Sequence, residues 1–335
     1  MLHQELAKMR RRELIAAIAT TVAAWSLAVR AQQGGQKLRR IGHLIGGTQA
    51  GTLRVSVGLI EGLRDLGYIE GRDYIVEYRY AEGHYDRFPD LAAELVRLNV
   101  DVIVLGTPAA IPAMRKATST IPIIMAVVSD PVGNDFVSSL ARPGGNITGL
   151  ATSHESTTAK QIELLSEILP KLSRVGILAN PDSPTVPNLV AAREAARQAV
   201  VELVQADARN ADEIDVAFVK FSHERIEAAV VIPDSVFALH RRRIAELAMK
   251  ARLPTMFGHR EYVVDGGTFS YGEDIKDFLR RSAVLVDKIF KGAKPADLPI
   301  EQPNRFFLTV NLTTAKLIGL NLPESFLLRA DEVIE

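Results

Sequence analysis

The sequence predicts an α/β protein built from two doubly wound parallel-sheet lobes. Three observations carry this. Short β-branched runs alternate with amphipathic stretches from Arg40 onward, the alternation restarts near residue 151, and Gly-rich segments punctuate it where a chain would cross between lobes.

In the first series, Arg40–Ile45 reads as a strand and Gly46-Gly47-Thr48 as the loop after it. Leu53–Leu66 places Val57, Ile60, Leu63 and Leu66 at helical spacing and stops at Gly67. Tyr74–Tyr80 alternates like a strand with two different faces. Asp86–Leu98 reads as a helix, with Pro89 tolerated in its first turn. Asp101–Leu105 is a continuous apolar run of the kind buried on both faces of a parallel sheet. Thr107-Pro108 opens a helix to Ala117, and Ile121–Val128 is the next buried strand.

The second series repeats the pattern. Helices are expected at Thr157–Leu169, Thr185–Ala199, Asp212–Ser222 and Ala238–Ala251. Strands are expected at Arg174–Ala179, Val200–Gln205, Ala228–Ile232 and Thr255–Gly258. Asp274–Phe290 is a long amphipathic helix, and the strand Phe306–Val310 with the helix Leu312–Ile318 closes the series. The turn-forming clusters 143–150 and 266–272 suit a hinge. The economical division is a lobe of residues 40–149 and 273–300, a second of 150–272 and 301–335, and three crossings between them.

The N-terminus reads as a secretory signal. A basic run, Met9-Arg10-Arg11-Arg12, precedes an apolar core from Leu14 to Val29, and the small residues Val29 and Ala31 precede a cleavage point after Ala31. The core falls short of the ~20 residues that span a bilayer. Met9 is the natural start, with residues 1–8 as an extension, and Arg11-Arg12 admits twin-arginine as well as general export. The first 31 residues hold five Lys/Arg and two Asp/Glu, so the remainder carries 35 basic and 38 acidic residues, a net −3. That argues against a nucleic-acid partner. With no cysteine, disulfide scaffolds and thiolate metal sites are excluded. The seven histidines form no zinc pattern, and neither a nucleophile elbow nor a phosphate loop occurs. No cofactor, metal or catalytic residue is expected, and the mature chain should not span a membrane.

Ligands of open parallel sheets bind beyond the carboxyl ends of the strands, where helix N-termini present N–H groups. This rule selects Gly47, Thr48, Thr107, Asp130, Asn180, Thr185 and Asp234, with Tyr271 at the second crossing. Six of these have a plainer alternative: a tight turn at Gly47, helix caps at Thr107 and Thr185, turn initiation at Asp130, a helix start at Asp234, core or hinge packing at Tyr271. The run Arg241-Arg242-Arg243 reads as the outer face of a helix.

Several long blocks resemble one family. They are the signal from Met9, Val128-Ser-Asp-Pro-Val132, Ser139-Leu-Ala-Arg-Pro-Gly-Gly-Asn-Ile-Thr-Gly149, Gly266-Gly-Thr-Phe-Ser-Tyr-Gly272, Lys288 through Pro299, and Glu301-Gln-Pro303 through Lys316. Together they resemble substrate-binding proteins of ABC transporters over essentially the whole chain. The resemblance implies a type I periplasmic binding-protein fold and a cleft without catalysis. It implies an amino-acid-like or carboxylate ligand, a permease in the inner membrane and a periplasmic location. Two alternatives remain open, an exported two-domain enzyme for a sugar or nucleotide and a sensing subunit of a membrane kinase.

Overall fold

The computed structural model describes residues 38–184, 186–302 and 305–335. The signal reading and Thr185 therefore lie outside the described residues. From the N-terminus come β1 (Arg39–Ile45), α1 (Gln49–Asp65), β2 (Tyr74–Tyr80), α2 (Phe88–Arg97), β3 (Val102–Leu105), α3 (Ile111–Ala117), β4 (Ile123–Ser129) and β5 (Ile147–Thr152). The strands form a parallel five-stranded sheet in the order β2-β1-β3-β4-β5. Every residue of β3, β4 and β5 is buried, as continuous apolar runs require when helices cover both faces. Leu44, Ile103 and Met125 face one core with α2 and α3, while Ile41, Val102 and Ile124 face the other.

The second half contains α4 (His154–Ile168), β6 (Arg174–Ala179), α5 (Val186–Gln198), β7 (Glu202–Asp207), α6 (Ala211–His223), β8 (Ala228–Val231), α7 (Ser235–Leu239), α8 (Arg241–Lys250), β9 (Thr255–Phe257), α9 (Arg260–Val264) and β10 (Phe269–Gly272). Next comes α10 (Ile275–Phe290), which packs back on α1. The contact is close because Gly58 and Gly62 lie at the crossing, where an added Cβ would stand 2.3 Å from the Lys276 carbonyl oxygen and 2.2 Å from that of Arg280. The chain then runs beside β5, where Glu301 bridges to Leu150. It finishes with β11 (Phe307–Asn311), α11 (Leu312–Leu317), α12 (Glu324–Leu327) and β12 (Glu332–Ile334). The second sheet is ordered β12-β11-β10-β9-β8-β6-β7.

Three features differ from the sequence reading. The two turn-rich clusters hold strands as well as turns, since β5 and β10 follow directly on positive-φ glycines, Gly144 and Gly145 in one case and Gly266 in the other. The second sheet is not wholly parallel. β11 runs antiparallel to β10 and β12 follows β11, because the chain re-enters this sheet after its excursion along the first. The helix expected at Ala238–Ala251 starts earlier and is broken at His240 into α7 and α8. Among the described residues no helix is long and apolar enough to cross a membrane.

Candidate functional site

A cavity of about 150 Å³ lies between the carboxyl ends of the two sheets. That is the size of an engineered cavity that accepts benzene, so the space suits a ring-sized solute. Its first-lobe wall includes Gly51, Thr52, Gly106, Thr107 and Ser129; the second-lobe wall includes Asn188, Asp234, Arg241, Glu261 and Tyr262.

Several polar atoms in these walls have no partner. Ser129 Oγ and Asn188 Nδ2 are buried without a hydrogen bond among the described residues. Thr107 is 2 % exposed and stands at a helix start, yet its hydroxyl makes no cap bond. An unsatisfied buried polar group costs about 1–3 kcal/mol, so a solute that supplies partners regains that energy.

Asp234 is the opposite case. Its Oδ1 accepts from Asn180 Nδ2 at 3.0 Å and from the Val236 N–H at 2.9 Å, capping α7. Its Oδ2 accepts from the Tyr85 hydroxyl at 2.8 Å, and that hydroxyl accepts from the Ser235 N–H at 3.2 Å. Burial raises the Asp234 carboxyl above the usual carboxylate range, against the pull of these donors. Tyr85 belongs to the first half of the chain, where its ring lies 5.1 Å from Phe88, and it also packs against the core of the second lobe. The Tyr85–Asp234 bond therefore joins the lobes at a residue, Asp234, that lines the cavity. Gly46 serves the same closeness, since an added Cβ would lie 2.5 Å from Ser235 Oγ.

Arg241 departs from the sequence reading. Arg242 and Arg243 do face outward, but the Arg241 side chain is 15 % exposed. It pairs with Asp265, donates to the Ala238 carbonyl at 2.7 Å and reaches the Gly51 carbonyl across the cleft at 3.5 Å. Tyr262, which lines the cavity, stacks on the buried Phe257 at 4.7 Å.

Of the residues selected from sequence, Thr107 and Asp234 line the cavity, and Asn180 acts on it through Asp234. Gly47 and Thr48 lie just outside. The Thr48 hydroxyl caps α1 by accepting from the Gly51 N–H at 3.1 Å. Asp130 forms a turn at φ 41°, its Oδ1 accepting from the Gly133 N–H at 2.8 Å. Tyr271 stacks on Phe306 at 5.9 Å, and its carbonyl accepts from Gln161. Tyr85, Asn188 and Glu261 were not selected. Extending the strand-end rule by one helical turn finds Asn188 in α5 and Glu261 in α9. Among the described residues no group of three His, Asp or Glu could hold a metal ion.

Two sheet-based lobes around a cavity between their strand ends define a solute-binding protein of the periplasmic binding-protein fold. The model of the ABC transporter substrate binding protein family matches residues 49–334, and the chain belongs to that family. Its members work outside the cytoplasm with a small-molecule ligand and a permease. A Clostridioides difficile (strain R20291) protein named tyrosine-binding protein is 25 % identical over 265 residues, covering 78 % of this chain and 76 % of that one. A conserved domain protein from Vibrio cholerae is 28 % identical with a TM-score of 0.81, covering 89 % of this chain and all of the other. An ABC domain in complex with L-Trp from Streptococcus pneumonia shares the fold at the same TM-score, 24 % identity and the same coverage.

Proposed function

We propose that this substrate-binding protein captures a single free amino acid between its lobes and releases it unaltered to an inner-membrane permease. The observation that carries this reading is the pair of buried, unpartnered groups Ser129 Oγ and Asn188 Nδ2 in walls contributed by different lobes. A carboxylate accepts hydrogen bonds from a hydroxyl and an amide at once, and it meets no anionic side chain in the first-lobe wall. The tyrosine- and L-Trp-binding relatives support aromatic amino acids as first candidates, and the Tyr262–Phe257 stack offers an apolar surface for a ring. The working unit is the chain after Ala31, exported to the periplasm. Its lobes are residues 40–149 with 273–300 and residues 150–272 with 301–335.

Titration calorimetry of the mature protein with the twenty amino acids tests this. Saturable binding of one or a few, with the solute recovered intact, is expected. A chemically changed solute, or no amino acid bound, overturns the reading. Mass spectrometry of the periplasmic fraction checks the new N-terminus at Gln32.

A further inference from the structure

The cavity wall holds two carboxylates, and their surroundings differ. A carboxylate offers about four acceptor sites. At Asp234 they are taken by Asn180, Val236, Tyr85 and Ser183, all donors of this chain. Glu261 sits half-buried in the first turn of α9, and among the described residues its carboxylate accepts from its own backbone N–H. The neighbouring cations attract it through space but make their ion pairs with other carboxylates, Arg241 with Asp265 and Arg260 with Glu332. Glu261 also lies in the wall shared with a larger hollow of about 570 Å³, bordered by Arg54, Asp274, Lys276 and Arg305. Burial pushes its carboxyl up and Asp274 adds to the effect, against the pull of its own backbone N–H, Arg260 and Arg241. A desolvated anion with so few donors gains much from an incoming cation, and charge-assisted bonds of this kind are about twice as strong as neutral ones.

We infer that Glu261, and not Asp234, receives the ammonium group of the captured solute, which makes the ligand class primary ammonium compounds. The inference rests on the amino-acid reading of the cavity and adds the residue that selects for the amine. Asp234 is left as the fixed end of the bond to Tyr85.

Three probes separate the outcomes: L-tyrosine, tyramine, which lacks the carboxylate, and 3-(4-hydroxyphenyl)propanoate, which lacks the ammonium. Each is titrated into the mature wild-type protein and the Glu261→Gln variant, with melting temperatures recorded to show that both are folded. The expected result is at least a tenfold loss of L-tyrosine affinity in the variant, with the weak propanoate affinity unchanged. A Glu261→Asp variant should regain part of the loss. Equal weakening of tyrosine and propanoate, or no change in either, overturns the role of Glu261 while leaving the amino-acid reading intact. Binding of tyramine but not tyrosine, lost in the variant, removes the amino-acid reading and keeps Glu261. No binding of any probe by the wild type overturns both.

Discussion

The two walls of the cavity are chemically unlike. The first-lobe wall is made of small, hydroxyl and apolar side chains, Val55, Val127 and Ile275 among them, with no ionisable group among its lining residues. The second-lobe wall brings Asp234, Arg241, Glu261 and His259. Charge acts at a distance, whereas a neutral hydroxyl acts only in contact. The difference places the charged contacts on the second lobe and the neutral ones, Thr107 and Ser129, on the first. Hinged closure is a known mode for such folds.

The largest effect tests why the first wall stays neutral. His43 lies in β1, 1 % exposed, with both ring nitrogens lacking a partner among the described residues. Its Nε2 is 3.5 Å from the place a Cβ would take on Gly106, a cavity-lining residue. Burial lowers its pKa to about 4. Between pH 6.5 and 4 the unfolded chain takes up a proton that the native protein refuses, so stability falls as pH falls through that window. The whole window is worth about 3 kcal/mol. Denaturant midpoints measured from pH 7 to 4 should show this loss, and a His43→Leu variant should show a flatter profile. An unchanged slope would mean that His43 is not held neutral.

Next in size is the charged wall. Asp234→Ala removes the α7 cap and leaves Asn180 and Tyr85 without their acceptor, so ligand affinity should fall at least tenfold, about 1.4 kcal/mol. Loss of the cap should also lower stability by about 1 kcal/mol. Calorimetry and thermal melts read the two effects separately, and an unchanged dissociation constant removes Asp234 from the binding machinery. Tyr85→Phe keeps the ring against Phe88 and deletes only the bond between lobes. Affinity should drop about fivefold, the equivalent of a net hydrogen bond near 1 kcal/mol. The loss should appear as faster ligand release in stopped-flow. A slower association with unchanged release would place Tyr85 in the approach of the solute instead of in closure.

The lobes and the position of the cleft were legible because parallel strands buried on both faces write continuous apolar runs, as in β3 and β4, and their carboxyl ends are where ligands must go. The bounds of β2 could be read from Tyr74–Tyr80, which match the observed strand end for end, although its burial does not alternate. What stayed hidden depends on contacts distant in sequence. Nothing local distinguishes Arg241 from Arg242 or Arg243; the turn of α8 over Asp265 decides which one faces inward. Tyr85 meets Asp234 across a separation of 149 residues, a pairing that exists only once the lobes meet. Thr107 reads as a cap and Thr48 does not, yet the geometry shows the reverse: the Thr48 hydroxyl caps its helix and that of Thr107 makes no cap bond.

The smallest effect is the most discriminating for the neutral wall. Ser129 Oγ is buried and unpartnered, so Ser129→Ala relieves the protein of a desolvated hydroxyl while removing a partner of the solute. The two consequences carry opposite signs. Without ligand the variant should be as stable as the wild type or up to about 1 kcal/mol more so, and its amino-acid affinity should fall a few-fold. Binding energy that the first lobe reserves for the solute shows itself in this way, as strain carried by the ligand-free protein. Equal losses in both measurements would instead make Ser129 an ordinary packing residue of β4, and the first wall would then contribute shape alone.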